Sequence, residues 1–317
     1  MKKITALLLS LIFVLSAMAG CAGTAKNSGK YKIIATIFPV YDWVKNITKD
    51  ADDVEVSLLV QSGVDLHSFQ PTAEDIVTIS SCDMFIYVGG ESDSWVDDAL
   101  KTAVNKDLTP VNLLESLGSA AKEEEIVEGM EAEEEEEEGG DEFEYDEHVW
   151  LSLKNAQSLC KTISGKLSEK NAANKAAYEK NTENYLSSLA ALDGKYAEEV
   201  KKAKNDTLVF ADRFPFRYLT DDYNLKYYAA FTGCSAESEA SFKTLVFLAD
   251  KLDSLQLNKL LTIDGSDKKI AKAVIDTAKN KNITTLTLNS MQSAMGEGDS
   301  YLSVMESNLG VLKEALN

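Results

Sequence analysis

Histidine is almost absent from this sequence: the 317 residues include only two, beside four cysteines and four prolines. The cysteines form no C-x-x-C pair, so the chain lacks the spacing of a cysteine-based metal cluster. It also lacks a basic excess, since 32 Lys and Arg oppose 52 Asp and Glu, for a formal charge of −20. A nucleic-acid-binding surface needs positive charge for the phosphates, so we expect no nucleic-acid partner.

The acidic charge is concentrated in one segment. Between Glu123 and Glu147 lie 16 acidic residues and no basic one, which leaves −4 for the rest of the chain. Glu133–Glu138 is a run of six glutamates. Because like charges repel and few apolar residues are present, residues 121–147 are predicted to form a solvated, disordered loop. We hypothesise that this loop gathers cations by raising their local concentration.

The first 20 residues have the features of a secretory signal. The basic residues of Met1–Lys3 precede an apolar run, Ile4–Ala19, that is short for a membrane span. Ser16–Cys21 resembles a bacterial lipoprotein signal, which implies cleavage before Cys21 and a lipid on its sulfur; an ordinary signal peptide cleaved nearby is the alternative. Residues 21–30 then form a polar tether. We therefore expect an extracytoplasmic protein that is lipid-anchored to the cell membrane.

The remaining cysteines are Cys82, Cys160 and Cys234. An odd number leaves at least one thiol free, even if the other two pair. We expect buried thiols that pack as small apolar groups, with a disulfide between two of them as the alternative.

Strand-like apolar runs alternate with helical segments from Tyr31 onward, as is typical of parallel sheets covered on both faces. We predict an α/β fold with two lobes of mainly parallel sheet flanked by helices, at residues 31–152 and 205–317. Residues 153–204 are predicted to be helical and to include one long rigid connecting helix, from about Asn171 to Lys204. The predicted strands are Tyr31–Phe38, Val54–Val60, Met84–Val88, Leu208–Ala211, Leu225–Phe231, Lys259–Ile263 and Ile283–Leu288.

The two histidines both lie at element boundaries of the first lobe. His67 follows the second predicted strand, and His148 precedes a predicted helix. A lone histidine is commonly a core or surface residue, but two that are placed in this way also suit a shared metal ion. Neutral imidazole binds zinc and accepts manganese or iron, so spacing alone leaves both interpretations open.

The segments around these histidines resemble one protein family. Gly63–Ile76 (GVDLHSFQPTAEDI) is similar to G-x-D-P-H-x-Y-E-P-T, a motif of the zinc/manganese-type solute-binding lipoproteins of ABC importers. Asp146–Ala156 (DEHVWLSLKNA) resembles their D-P-H-V-W-L-S-P-x-N-A motif. Further likenesses cover Cys82–Trp95, Ser168–Asn181 and Gly298–Leu309. The resemblance implies two α/β lobes joined by one helix, a metal ion in the cleft, and His67 and His148 as its first two ligands.

The family's third ligand does not carry over. At its position, where the family has His or Glu, stands Ala211, and a methyl group cannot coordinate a metal. We predict Asp212 as the substitute, with Glu237 behind it. The alternative is that Asp212 simply pairs with the neighbouring Arg213.

The fourth position, often an Asp in the family, falls at Asn289, and Asp264 is the alternative there. Three nitrogen ligands would favour zinc, whereas two histidines with oxygen donors also admit manganese. The general order of metal affinities favours Zn2+ over Mn2+, so we expect zinc.

The resemblance implies a binding protein, not an enzyme, that captures zinc in the inter-lobe cleft and delivers it to the membrane permease of an ABC importer. We expect a monomer held at the membrane by its lipid anchor. The alternative is a secreted metal-dependent hydrolase that uses the same two histidines, although the sequence has no H-E-x-x-H spacing.

Overall fold

Parallel strands alternate with helices throughout the computed structural model, which describes residues 29–61, 64–131, 144–235, 239–292 and 298–317. Tyr31–Asn317 form one compact unit. The signal peptide, Cys21, most of the tether, the glutamate run and Glu237 lie outside the described residues. Within them, no helix combines the length and apolarity that a membrane span needs.

The first half of this unit contains a parallel sheet with the strand order β2-β1-β3-β4. Its register pairs Ile33 with Val56 on one side and with Met84 on the other. β3 is buried along its whole length, as expected for a strand covered on both faces. In chain order the elements are β1 (Tyr31–Ala35), α1 (Phe38–Thr48), β2 (Val54–Leu58), α2 (Ala73–Ser81), β3 (Met84–Tyr87), α3 (Val96–Lys101), β4 (Thr109–Asn112) and α4 (Leu113–Leu117).

Two helices follow, α5 (Leu153–Lys170) and α6 (Lys175–Lys202). With 28 residues, α6 extends roughly 42 Å at about 1.5 Å per residue. Its buried side chains include those of Tyr178, Tyr185, Leu189, Leu192 and Tyr196, which lie on one face as the spacing predicted.

The helix α6 packs against both halves of the unit. Asn181 donates to the Ile47 carbonyl at the end of α1 (3.1 Å). Near its other end, the Tyr196 hydroxyl donates to the Met305 carbonyl in the second half (2.6 Å). The predicted long connecting helix is therefore present, and the α/β fold class is confirmed.

The second half repeats the strand arrangement of the first. Parallel pairs β5-β6 and β7-β8 are connected by a parallel bridge between Phe210 and Leu261, which gives the order β6-β5-β7-β8. The elements are β5 (Thr207–Val209), α7 (Arg217–Asp222), β6 (Lys226–Tyr228), α8 (Phe242–Ser254), β7 (Lys259–Ile263), α9 (Lys269–Thr277), β8 (Thr284–Leu288) and α10 (Tyr301–Ala315).

The described ends of the acidic segment are ordered, contrary to the expectation of a disordered loop. Residues 121–131 and 144–147, which we call the acidic strap, pair with each other through Glu124 N and the Glu144 carbonyl (2.8 Å). The strap also reaches the second half, where Glu131 N donates to the Ala230 carbonyl (2.9 Å). Arg217 forms an ion pair with Glu125 (2.6 Å). The ion pair offsets part of the charge repulsion that the sequence suggested, and the backbone hydrogen bonds order the strap.

Candidate metal centre

His67 is held by a short turn at the carboxyl end of β2. Leu66–Ser68 form a 3-10 turn, and the Asp65 carboxylate caps it by accepting the His67 N–H (3.0 Å). Leu66 is buried beneath the turn, which fixes its orientation. His67 is thus presented at the edge of the sheet where the carboxyl ends of parallel strands meet.

His148 follows the acidic strap and is completely buried. The Asp146 carboxylate accepts both the backbone N–H of His148 (2.8 Å) and its Nδ1–H (3.0 Å). The Trp150 ring lies 5.3 Å from the imidazole, centroid to centroid. Because Asp146 takes the hydrogen on Nδ1, the free lone pair of His148 is on Nε2.

The two imidazoles converge through these Nε2 atoms, which lie 3.1 Å apart. On the far side of the His67 ring, Nδ1 lies 2.7 Å from Ser92 Oγ and 3.6 Å from Glu147 Oε2. A carboxylate there favours the hydrogen on Nδ1, so the Nε2 lone pair of His67 faces that of His148. Two lone pairs that face each other at this distance suit a shared cation.

Burial of His67 and the proximity of His148 lower the pKa of His67 to about 3. Its imidazole is therefore neutral at neutral pH, the form that binds metal. The Glu147 carboxyl behind it has a raised pKa because it is buried.

Cys234 brings a third donor to the same point. His67, His148 and Cys234 each offer one ligand atom, and these three atoms all lie within 4.8 Å of one another. Cys234 follows β6, and its neighbour Gly233 lies directly against the His148 ring, where an added Cβ would be 2.9 Å from Cε1. Burial and nearby carboxylates raise the pKa of the Cys234 thiol well above its usual value. The described part of the chain forms no disulfide with it, nor with Cys82 or Cys160, so all three thiols are free.

Gln292, in the loop after β8, approaches both imidazoles. Its Nε2 atom lies 2.7 Å from His67 Nε2 and 3.0 Å from His148 Nε2. Its side chain is nearly buried, at 6% relative exposure, and Oε1 has no hydrogen-bond partner among the described residues. A polar side chain with an unpaired oxygen therefore points at the two histidines.

The structure does not bring Asp212 into this cluster, and our prediction of it as third ligand is corrected. Its carboxylate accepts the N–H of Arg213 (3.1 Å) and of Ile263 (3.4 Å), which ties the loop after β5 to the end of β7. The alternative, a pair with Arg213, is present as this backbone hydrogen bond, while the Arg213 guanidinium forms its ion pair with Asp65. Glu237 lies outside the described residues.

Asn289 and Asp264 both accept hydrogen bonds within the turn after β8. The Asn289 Oδ1 atom accepts the Met291 N–H (2.7 Å), and Met291 has a left-handed φ of 60°. Asp264 Oδ1 accepts the N–H (2.6 Å) and the hydroxyl (2.8 Å) of Ser290. Both predicted fourth ligands thus stabilise the turn that presents Gln292.

A small cavity lies beside Gln292, but neither histidine nor Cys234 lines it. The cavity next to Gln292 has a volume of about 100 Å³ and is lined mostly by apolar side chains, Val60, Leu66 and Trp150 among them. Pockets for small organic ligands are commonly about 300–1,000 Å³. A larger groove of about 860 Å³ lies along α5 and α6, but none of the cluster residues lines it. What suits an ion is the convergence of donor atoms from His67, His148 and Cys234 within 4.8 Å of one another.

The family model described as zinc-uptake complex component A, periplasmic, matches residues 33–315 of this chain. The chain is 31% identical over 321 residues to the zinc-binding lipoprotein AdcA of Streptococcus pneumoniae serotype 4, covering 99% of this chain and 61% of that protein. It is 30% identical over 299 residues to the high-affinity zinc uptake system protein ZnuA of Bacillus subtilis, covering 93% of this chain and 90% of that protein. The chain thus spans less than two thirds of its streptococcal relative.

Solved structures agree with these sequence matches. The Zn(II)-bound ZnuA-like domain of Streptococcus pneumoniae AdcA superposes with a TM-score of 0.71 at 29% identity, covering 91% of this chain and 99% of that one. The metal-dependent lipoprotein YcdH from Bacillus subtilis superposes with a TM-score of 0.73 at 28% identity, covering 90% of this chain and 99% of that one.

Proposed function

The chain belongs to the family of the periplasmic zinc-uptake complex component A, and from this membership we propose that it captures one zinc ion and delivers it to the membrane permease of an ABC importer. The observation that carries the proposal is the 3.1 Å approach of His67 Nε2 and His148 Nε2. Asp146 orients the His148 ring from behind, and Ser92, with Glu147 nearby, orients the His67 ring, an arrangement that supports metal-binding histidines in general.

The zinc in this proposal is cargo and not a catalytic cofactor. The family is a solute-binding component of transport, and the relatives named above bind or take up zinc. A hydrolase would need an open coordination position for water together with room for its substrate. The match to a zinc-uptake component over residues 33–315 favours the binding protein over the hydrolase, our alternative from the sequence.

In this proposal, the N-terminus anchors the protein to the outer face of the cell membrane. Cys21 carries the lipid, residues 21–30 form the tether, and residues 31–317 bind the ion as a monomer outside the cytoplasm. The printed name of the AdcA relative, a lipoprotein, supports the anchor. Replacing Cys21 with Ser should release the protein from the membrane fraction; continued membrane attachment would contradict a lipid on this sulfur.

Zinc titration of the protein without its first 20 residues tests the function. We expect one zinc per chain, and His67→Ala or His148→Ala should weaken binding by more than about 100-fold, since even residues that only support ligands contribute about 10–100-fold. Lys101→Ala, at an exposed helix position outside the cluster, is the control and should bind like the parent. Parent-like affinity in both histidine variants would overturn the proposal.

A further inference from the structure

We propose that Cys234 binds the metal as a thiolate and that Gln292 completes the site through its amide oxygen, which makes the site selective for zinc over manganese. This inference rests on the proposed zinc capture and specifies which residues of the second half hold the ion. Neither residue stood among the ligands that the sequence predicted.

The donor spacing is close to what zinc requires. Zn–N bonds of about 2.0–2.1 Å and Zn–S bonds of about 2.3 Å place tetrahedral donors roughly 3.3–3.6 Å apart. The His67 and His148 Nε2 atoms are 3.1 Å apart, and the Cys234 donor completes a set that lies within 4.8 Å. A shift of about 1 Å in the Cys234 loop is enough to bring all three donor atoms to bonding distance from one zinc ion.

Two contacts hold Cys234 beside the imidazoles. Gly233 has no side chain, which allows its backbone to lie against the His148 ring. From the other direction, Glu124 Oε1 in the acidic strap accepts the Cys234 N–H (3.3 Å). Two groups of the first half, the His148 ring and Glu124, therefore position the Cys234 loop of the second half.

Gln292 is the independent observation that points to a ligand. The side chain is nearly buried, and its amide nitrogen lies within 3.0 Å of both imidazole Nε2 atoms. Its oxygen has no hydrogen-bond partner among the residues that the structure describes. The two ends of an amide have almost the same shape, so a half-turn of the group brings Oε1 to the point that the two histidines face. The oxygen then coordinates the ion together with the two nitrogens and the sulfur.

A sulfur donor decides the metal preference. When zinc binds, a Zn–S bond forms, the S–H bond breaks, and the proton passes to water. Zinc forms strong bonds with thiolate, whereas manganese prefers carboxylate, carbonyl and water oxygens. The predicted oxygen-rich alternative, with Asp212, would have admitted both metals.

Cobalt(II) substitution of the protein without its first 20 residues tests the sulfur ligand directly. In the parent we expect a sulfur-to-cobalt charge-transfer band in the near ultraviolet beside the visible d–d bands. Cys234→Ser should lose the charge-transfer band, keep d–d bands from the remaining ligands, and bind zinc at least about 10-fold more weakly. Cys82→Ser, a substitution of another free thiol, is the matched control and should keep the band.

The outcomes separate this inference from the proposed function. A parent that binds zinc through His67 and His148 but shows no charge-transfer band, or a Cys234→Ser variant that retains it, overturns the thiolate ligand and leaves zinc capture in place. Manganese affinity in the parent equal to its zinc affinity overturns the selectivity. A parent that binds neither zinc nor cobalt overturns both proposals.

Discussion

Arg213 and Asp65 form an ion pair that links the second half of the unit to the first. The Asp65 carboxylate also caps the turn of His67, and Arg213 Nη1 donates to the carbonyl of Ser235, the residue after Cys234 (3.4 Å). One guanidinium therefore connects the loop of a histidine to the loop of the cysteine. Burial of Asp65 acts to raise its pKa, but Arg213 dominates and the pKa is lowered, so the pair is charged at neutral pH.

We predict that Arg213→Ala speeds zinc release and weakens binding by about 10-fold, because residues that orient ligands contribute about 10–100-fold to metal affinity. Stopped-flow transfer of zinc to a chelator measures the release rate. Lys122→Ala, which removes another ion pair between the halves, to Asp221, is the matched control and should release zinc at the parental rate. Unchanged release from the Arg213 variant would show that its ion pair does not position the ligands.

Gly233→Ala should weaken zinc binding by about 10-fold as well, by moving the Cys234 loop away from His148. An added Cβ would lie 2.9 Å from both His148 Cε1 and the Phe214 carbonyl oxygen, so the backbone must shift. Zinc affinity and thermal unfolding are measured together.

Gly194→Ala is the control for this substitution. It lies within α6, where an added Cβ meets nothing, and the change should stabilise the helix by about 1 kcal/mol without affecting zinc. If Gly233→Ala lowers the melting temperature but leaves zinc affinity intact, the close approach serves the fold and not the site.

Much of the fold could be predicted because the strand–helix alternation is regular along the chain. The exception is β4 with α4, residues 109–117, which the sequence did not indicate. β4 has four residues, and one of them is Pro110, which has no N–H for a strand ladder. The sheet accepts it because β4 is an edge strand.

Only the two histidines of the candidate site could be predicted from the sequence. His67 and His148 stood out by their scarcity and their motifs, whereas Cys234 is far from both in sequence and has no diagnostic spacing. The usable signal was its place shortly after the predicted strand Leu225–Phe231, at the sheet edge where ligands gather. Gln292 was missed because the motif placed the fourth ligand at Asn289. The turn that brings Gln292 to the histidines depends on contacts with Asp264, which is distant in sequence.

Gln292→Glu should tighten zinc binding by at least about 10-fold, because a carboxylate adds a negative charge close to the cation in a poorly hydrated site. Gln292→Met, of similar size but without an oxygen donor, should bind zinc more weakly than the parent. Competition with a chelator of known affinity ranks the three proteins. Weaker binding by the Glu variant than by the parent would contradict an oxygen of residue 292 in the site.

The glutamate run offers a test of the cation-gathering hypothesis. Replacing Glu133–Glu138 with six glutamines removes six negative charges from the chain. The strap has its own anchors, among them the ion pair of Lys251 with Glu128 (2.8 Å), so the affinity for zinc should stay constant. At low ionic strength the variant should bind zinc several-fold more slowly than the parent, because electrostatic attraction raises the encounter rate. At about 1 M salt, where the Debye length is about 3 Å, the two association rates should be equal. Equal association rates at low salt would reject the gathering role, while a lost affinity would instead place the run among the structural supports of the site.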